Sequence, residues 1–115
     1  MNNLGSDAEK AAAIYLQQKG LKLLVSNYRC RYGEIDLVMR DGKTIVFVEV
    51  RMRSNPSFGG AAMSITPAKQ QKLIRTASHY LQLHGNSDCR FDAILMQSKA
   101  SDSIEWITNA FDSHS

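Results

Sequence analysis

The chain has 115 residues, and its length, composition and charge exclude several classes of protein. One hydrophobic core normally serves a chain of this length, and 43% hydrophobic with 22% charged residues is close to the globular average, which excludes long disorder and fibrous repeats. We therefore expect one domain over residues 1–115. The net charge of +3 permits a polyanionic partner without demonstrating one.

Membrane spans, secretion and zinc are also not expected. The most apolar stretch, residues 11–16, is far shorter than the roughly 20 residues that a membrane-spanning helix needs. Residues 1–7 contain no basic segment that leads into a hydrophobic one, so we expect no secretory signal and a cytoplasmic location. Cys30 and Cys89 have no second Cys or His at metal-ligand spacing, which indicates two reduced thiols.

The first elements in chain order are a helix and a strand. Apolar residues recur at three- and four-residue intervals over residues 6–19, which predicts a helix that ends at Gly20. Residues 21–29 are rich in Leu, Val and Tyr and predict a first strand.

A β-hairpin is predicted next, because the β-rich runs 34–40 and 43–51 flank Asp41-Gly42 and Asp-Gly favours a two-residue turn. In that register Arg40 pairs with Lys43, Asp36 lies opposite Phe47, and Glu34 lies opposite Glu49. Side chains of a strand alternate between its two faces. One face of the hairpin then carries Glu34, Asp36, Glu49 and Arg51, and the other carries Ile35, Leu37, Val46, Val48 and Val50.

The second half of the chain predicts a loop, a helix and two strands. Residues 54–65 contain Pro56 and Gly59-Gly60 and indicate a loop. Thr66 as N-cap and Pro67 at the first position predict a helix over residues 67–84. Its predicted inward residues are Leu73, Ile74, Ala77, Tyr80 and Leu81. Residues 90–97 and 103–110 predict two strands, so the order is α-β-β-β-α-β-β, which indicates a mixed sheet flanked by helices.

The acidic residues of the hairpin form the candidate functional site. Two like charges about 5 Å apart repel by roughly 3 kcal/mol at an effective dielectric near 20. A divalent cation offsets such repulsion, and Mg²⁺ is typically held by one or two carboxylates together with waters and phosphate oxygens. We therefore expect Mg²⁺ or Mn²⁺ at Asp36, Glu49 and Glu34, an arrangement that suits phosphodiester hydrolysis. The alternative is a charged surface without metal, compensated by Arg51, Arg53 and Lys43.

Several motifs together resemble the YraN-like family of small bacterial proteins. The matching segments are residues 33–38 (GEIDLV), 46–53 (VFVEVRMR), 59–61 (GGA), 69–81 (KQQKLIRTASHYL) and 90–92 (RFD). That family is similar to archaeal Holliday junction resolvases. The resemblance implies the restriction-endonuclease-like fold, which belongs to the α/β class. Its core has the order αβββαβ and consists of a mixed central sheet flanked by helices.

The motif of that fold is an Asp on the second strand and Glu-X-Lys on the third, which correspond to Asp36 and to Glu49-Val50-Arg51. Arg51 therefore occupies the lysine position, and arginine cannot accept a proton at ordinary pH. The resemblance assigns Asp36 and Glu49 to a catalytic metal site. It gives Arg51 the role of orienting the attacking water or stabilising transition-state charge.

Glu9 and Lys69 each have two interpretations. By resemblance Glu9 matches a further acidic residue of the resolvase site, whereas Ser6-Asp-Ala-Glu9 also fits a capping box in which Glu9 bonds the backbone of Ser6. Lys69 lies at the edge of the apolar stripe of its helix. It either reaches the site and supplies an amine, or extends along the surface as an ordinary lysine.

Cations and aromatic residues surround the hairpin and suggest contacts with nucleic acid. Arg29, Arg31 and Arg53, with Tyr28 and Tyr32, suit phosphate contacts and stacking on unpaired bases. Asp92 is predicted to be a structural partner of Arg90, and Trp106 is predicted to be in the core.

We thus expect a metal-dependent nuclease-like protein that acts on DNA, including branched DNA. The alternatives are a non-catalytic nucleic-acid-binding module and a protein-interaction domain. A homodimer is implied by resemblance to resolvases alone.

Overall fold

The computed structural model describes residues 7–52, 65–97 and 103–112. These ranges contain helices α1 (Asp7–Gln18) and α2 (Pro67–His84) and strands β1 (Lys22–Cys30), β2 (Gly33–Asp41), β3 (Thr44–Met52), β4 (Cys89–Met96) and β5 (Ile104–Phe111). The strands form one sheet in the order β1-β2-β3-β4-β5, in which β3 and β4 are parallel and the other pairs are antiparallel. The predicted mixed α/β class is confirmed, and the order is consistent with a restriction-endonuclease-like core.

Each predicted helix and strand is present, and each of its ends is within one residue of the prediction. At the start of α2, Thr66 Oγ1 accepts a hydrogen bond of 3.1 Å from the Lys69 N–H, as its predicted N-cap role requires. The helix ends at Gly85, whose N–H bonds the Leu81 carbonyl. Most of the predicted loop, residues 54–64, lies outside the described residues, as do Ser6 and Arg53. No helix of the described residues is long and apolar enough to cross a membrane.

The sheet has a hydrophobic cluster on each face. The α1 cluster consists of Ala12, Ala13, Leu16, Leu21, Leu37, Met39, Val46, Val48, Ile94 and Met96. The α2 cluster consists of Ile35, Val38, Ile45, Phe47, Ile65, Leu73, Ala77, Tyr80, Phe91 and Ala93. On α2, Leu73, Ala77 and Tyr80 are buried as predicted, whereas Ile74 and Leu81 are half-buried; buried Thr76, which bonds the Lys72 carbonyl, was not predicted to face inward.

The predicted hairpin exists, but its register was predicted wrongly. Asp41 pairs with Thr44, so the turn residues are Gly42 and Lys43 rather than Asp41 and Gly42. Gly42 has φ of 61°, and a two-residue hairpin turn of type II′ takes glycine at its first position for this reason. The shift amounts to two residues, so Arg40 pairs with Ile45 instead of Lys43.

Strands β2 and β3 separate beyond the pair Leu37 and Val48. From that point β2 stays paired with β1, through Tyr28 and Ile35, while β3 stays paired with β4. Asp36 is the first residue of β2 past the last pair, and Glu49 is the corresponding residue of β3. The fold therefore opens a notch in the sheet between two acidic residues.

Candidate active site

Asp36 lies in this notch and connects the two strands through its side chain. Its Oδ2 accepts a hydrogen bond of 2.8 Å from the Val50 N–H, a bond that a backbone carbonyl supplies in a continuous ladder. Burial raises the pKa of Asp36 from 3.8 to about 8, with the nearby charge of Glu49 as the next cause. The hydrogen bond from Val50 opposes this rise in pKa, and the Glu9 carboxyl adds to it.

Glu49 is the buried carboxylate of the site, with a side chain only 8% exposed. It lies between Val48 and Val50, which pack in or against the α1 cluster, and its own side chain points to the α2 side. Lys69 Nζ is 3.2 Å from Glu49 Oε2, and Arg51 Nη1 is 3.9 Å from the same oxygen. The two positions predicted for Lys69 were beside the site or along the surface, and in the structure its amine lies beside the site, at Glu49.

Asn27 links Glu9 on α1 to the hairpin. Its amide Nδ2 donates one hydrogen bond of 2.9 Å to Glu9 Oε1 and another of 3.3 Å to Glu34 Oε2. The Glu9 carboxyl also raises the pKa of Asp36, through its charge and through hydrogen bonding to the Asp36 carboxyl. Glu9 therefore contacts the site; its other predicted partner, Ser6, lies outside the described residues.

The four charged residues of the hairpin do not share one open face, which corrects the prediction. Glu34 is directed to Asn27 and to Arg29, whose Nε is 3.3 Å from its Oε2, whereas Glu49 is on the side of α2. Ile35 was predicted beside Leu37 but packs in the α2 cluster, while Leu37 packs in the α1 cluster. The strict alternation of β2 is thus interrupted at Asp36.

The interruption coincides with irregular backbone on the neighbouring strand. Asn27 has φ of 53°, a left-handed conformation that Asn tolerates better than most residues. Its neighbours Ser26 and Tyr28 pair with Leu37 and Ile35, so Asn27 faces Asp36 across β1 and β2. Asn27 was not predicted as a site residue, although an Asn inside a β-rich run is a signal of irregular backbone.

The residues that were predicted to contact nucleic acid differ in their exposure and in their partners. Arg29 is 75% exposed and paired with Glu34, and Arg31 is exposed beside Tyr32. Tyr28 is not available for stacking, because its hydroxyl is 2.6 Å from His79 Nδ1 and its ring packs edge-on against Tyr80.

Asp92 is a buried structural residue, as predicted. Its carboxylate accepts one hydrogen bond from Arg90 Nε that both oxygens share at 3.1 Å, one of 2.9 Å from Trp106 Nε1 and one of 3.0 Å from the Asn109 N–H. These bonds satisfy the carboxylate inside the protein, so a metal is not needed there. Trp106 is half-buried against the α1 cluster.

The donor set at the notch is one that Mg²⁺ or Mn²⁺ accepts. Asp36 and Glu49 offer carboxylate oxygens, the hard ligands that these ions prefer. Within the ranges that the structure describes, no three His, Cys, Asp or Glu side chains are grouped so that they could hold a metal ion, so Glu34 does not join Asp36 and Glu49 as a third ligand. Mg²⁺ in phosphoryl chemistry needs only one or two protein carboxylates, because waters and substrate oxygens complete its shell, so the residues fit such an ion.

Comparison with known proteins identifies the family. The family described as "Uncharacterised protein family UPF0102" matches residues 8–96. A UPF0102 protein of Methylobacillus flagellatus is 62% identical over 96% of this chain and 98% of its own length. One from Nitrosomonas europaea is 64% identical over 96% of this chain and 94% of its own, and one from Pseudomonas fluorescens is 51% identical over 95% and 92%. The YraN-like resemblance is thereby supported, and the chain belongs to the UPF0102 family.

Proposed function

We propose that this protein is a metal-dependent nuclease that hydrolyses phosphodiester bonds in DNA, with branched DNA among its substrates. The observation that supports it best is the carboxyl cluster at the notch, where Asp36 is buried beside Glu49 and its pKa is raised to about 8. Strongly shifted pKa values with a specific charged neighbour are characteristic of functional sites. The resemblance to resolvases assigns catalysis to the same two residues.

Each residue of the cluster has a distinct role in this proposal. Asp36 and Glu49 hold the metal, which when bound neutralises developing charge and activates water. Glu9 is an accessory acid that Asn27 positions. Glu34 contributes from farther away, because it is already engaged by Asn27 and Arg29.

Lys69 and Arg51 provide the positive charge of the site. Both contact the Oε2 atom of Glu49, and Lys69 is the nearer. Arginine at the family's lysine position cannot accept a proton, so Lys69 from α2 supplies the amine that this position lacks. Both cations stabilise negative charge on a phosphate in the transition state.

A cleavage assay tests the proposal. Purified protein is incubated with junction, flap and linear DNA in the presence of Mn²⁺, beside the double variant Asp36→Asn/Glu49→Gln purified in the same way. We expect cleavage of at least one substrate by the wild type and none by the double variant. Equal activity of the two proteins identifies a contaminating nuclease and rejects the proposal.

A non-catalytic nucleic-acid-binding module is the second candidate, and Arg51 is the observation that favours it. A chain that has lost the catalytic lysine retains the fold and its cations but hydrolyses nothing. Its affinity for DNA then falls steeply with salt, because bound cations displace counterions from phosphates. Salt-dependent binding without Mn²⁺-dependent cleavage selects this second function.

A further inference from the structure

One side of α2 carries positive charge without any negative charge. The helix has 18 residues and contains no Asp or Glu. Lys69, Lys72 and Arg75 follow one another at intervals of three residues and supply the charge, and the polar side chain of His79 lies four residues further along the same side of the helix. Ten residues of helix rise about 15 Å, so this row spans the distance of a few nucleotides.

The row begins at the candidate active site. Lys69 contacts Glu49, and the exposed side chains of Lys72 and Arg75 continue away from that contact. A polyanion bound along the row therefore passes directly from the carboxyl cluster onto the surface of α2. Without such a ligand, these cations repel one another and have no carboxylate on their own helix to offset the repulsion.

The turn between β1 and β2 approaches the same side of α2. Gly33 makes this approach possible, since a Cβ at Gly33 would lie 3.2 Å from Thr76 Oγ1 and 3.8 Å from Lys72 Cβ, at a backbone φ of 152°. The close contact brings Arg31 and Tyr32 beside Arg75 and His79.

A groove of about 540 Å³ lies between the turn and the helix. Its polar lining consists of Arg31, Tyr32, Arg75, Ser78, His79 and Gln82. Tyr32 is 36% exposed, with the Arg31 guanidinium 5.0 Å from its ring centroid and His79 edge-on at 6.2 Å. The Arg31 Nη2 also donates a hydrogen bond of 2.8 Å to the Tyr32 hydroxyl, so the two side chains hold each other in place.

We propose that this groove binds an unpaired DNA strand, which runs from the carboxyl cluster along α2 and stacks one base on Tyr32. This inference rests on the proposed nuclease function, because it assigns the substrate of that site as DNA with a single-stranded segment. The cations contact phosphates, and an exposed aromatic ring stacks on any base that is not already stacked in a duplex. Duplex DNA offers phosphates but no free base face, so Tyr32 favours the single strand.

Binding of fluorescein-labelled oligothymidylate in EDTA tests the groove separately from catalysis. We compare Tyr32→Ala, Tyr32→Phe and Arg75→Ala with the control variant Lys43→Ala, which removes an exposed cation from the turn that follows the other end of β2. Loss of base stacking in Tyr32→Ala weakens binding about fivefold or more. Arg75→Ala lowers the slope of log affinity against log salt by about 0.7. Tyr32→Phe and Lys43→Ala stay within about twofold of the wild type, since they retain the ring and the groove cations.

Several results overturn the proposal. The proposal is wrong if Tyr32→Ala binds oligothymidylate with wild-type affinity. It is also wrong if Lys43→Ala loses as much affinity as Arg75→Ala, because that result indicates unspecific electrostatic attraction. If a duplex of the same length binds with the same affinity as oligothymidylate and responds to the variants in the same way, the ligand of the groove is duplex DNA rather than a single strand.

Failure of the groove and failure of the nuclease function are distinguishable. In the Asp36→Asn/Glu49→Gln background, Tyr32→Ala should weaken oligothymidylate binding by the same factor as it does in the wild type, because the groove residues are intact. A wild type that binds through Tyr32 but never cleaves with Mn²⁺ retains the groove and loses the nuclease. If the groove variants cleave flap and junction DNA at the wild-type rate, the nuclease function is retained and the groove is rejected. An oligothymidylate with one 5-iodouracil provides a second readout, since irradiation should crosslink it to the peptide that contains Tyr32.

Discussion

Lys69 Nζ lies 3.2 Å from Glu49 Oε2, and this contact joins the first turn of α2 to the strand that carries the Glu-Val-Arg motif. The Glu49 side chain is 8% exposed, whereas that of Lys69 is 44% exposed. A carboxylate this deeply buried requires a compensating cation, and among the described residues Arg51 at 3.9 Å is the more distant of its two cationic partners. Lys69 thus stabilises the buried charge irrespective of any catalytic role.

Lys69→Met should destabilise the protein more than Lys72→Met does. Of the cationic partners that the described residues give Glu49, the first substitution leaves the more distant Arg51. We expect a loss of about 1–2 kcal/mol in the free energy of unfolding, below the value for a fully buried pair because Lys69 is partly solvated. Lys72 is exposed one turn further along α2 and its loss should change the free energy by less than about 0.5 kcal/mol. Urea unfolding measures both. Equal destabilisation would show that the Glu49 contact contributes nothing.

The hairpin shows how far local sequence determines a register. Its two strands and its short turn follow from β-rich runs around Asp41-Gly42, and the structure has both. The choice between Asp41-Gly42 and Gly42-Lys43 as turn residues depends on where glycine is needed. Type I′ turns favour glycine second and type II′ turns favour it first, so the same tripeptide serves either. Because the error was an even number of residues, the predicted pairing partners changed, but Leu37, Val46 and Val48 stayed together on one face of the hairpin, as predicted.

The stability of the wild type should fall as pH rises relative to that of Asp36→Asn. The pKa of Asp36 is raised in the folded protein from 3.8 to about 8, so between these values the folded state binds more protons than the unfolded state. The contribution of this proton is complete below pH 4 and is lost as pH rises through 8. The amide side chain of the Asp36→Asn variant has no such proton and retains an oxygen that can accept from Val50. The unfolding free energy of the wild type minus that of Asp36→Asn should fall by about 1–3 kcal/mol from pH 5 to pH 9. Parallel pH profiles in urea unfolding would contradict it.

The composition of the site was predictable only in part. Asp36, Glu49 and Arg51 follow from motif and spacing, because they are on one hairpin. The position of Lys69 depends on the packing of α2 against the sheet, and no local pattern distinguishes that position from an exposed one. Glu34 was expected at the same face as Glu49, but the alternation of β2 is interrupted at Asp36, beside the irregular backbone of Asn27. Periodicity describes a regular strand, so it fails at the point where the strands separate.

Asn27→Ala should be more harmful to the fold than Asn27→Gly. Both substitutions remove the hydrogen bonds to Glu9 and Glu34, but only glycine adopts a φ of 53° without steric cost. We expect Asn27→Ala to be less stable than Asn27→Gly by about 1 kcal/mol in thermal or urea unfolding. If Asn27 also positions Glu9 for the proposed reaction, both variants should cleave DNA more slowly while binding oligothymidylate normally. Stability that is the same for alanine and glycine would mean that the backbone relaxes at this position.

Metal binding should release protons and should distinguish Asp36 from Glu34. A cation at the notch displaces the proton that the raised pKa of Asp36 retains below pH 8, so Mn²⁺ affinity should rise with pH by up to about tenfold per unit. Titration calorimetry at pH 6.5 and 7.5, in two buffers with different ionisation enthalpies, measures both the affinity and the protons released. Asp36→Asn should abolish the pH dependence. Glu34→Gln should preserve it, because Glu34 is engaged by Asn27 and Arg29. A larger loss of Mn²⁺ affinity in Glu34→Gln than in Asp36→Asn would place the ion elsewhere.

The two cations at Glu49 should differ in their importance for cleavage. If Lys69 supplies the amine of the site, Lys69→Met should lower the rate of cleavage with Mn²⁺ at least about a hundredfold, the effect usual for loss of a group that stabilises transition-state charge. Arg51→Lys keeps a positive charge at the farther position and should stay within about tenfold of the wild type. Single-turnover rates on the same flap substrate, at protein concentrations that saturate binding, separate these effects from changes in affinity. The opposite order, with Arg51→Lys strongly activating and Lys69→Met neutral, would assign the catalytic position to residue 51 and leave Lys69 a purely structural partner of Glu49.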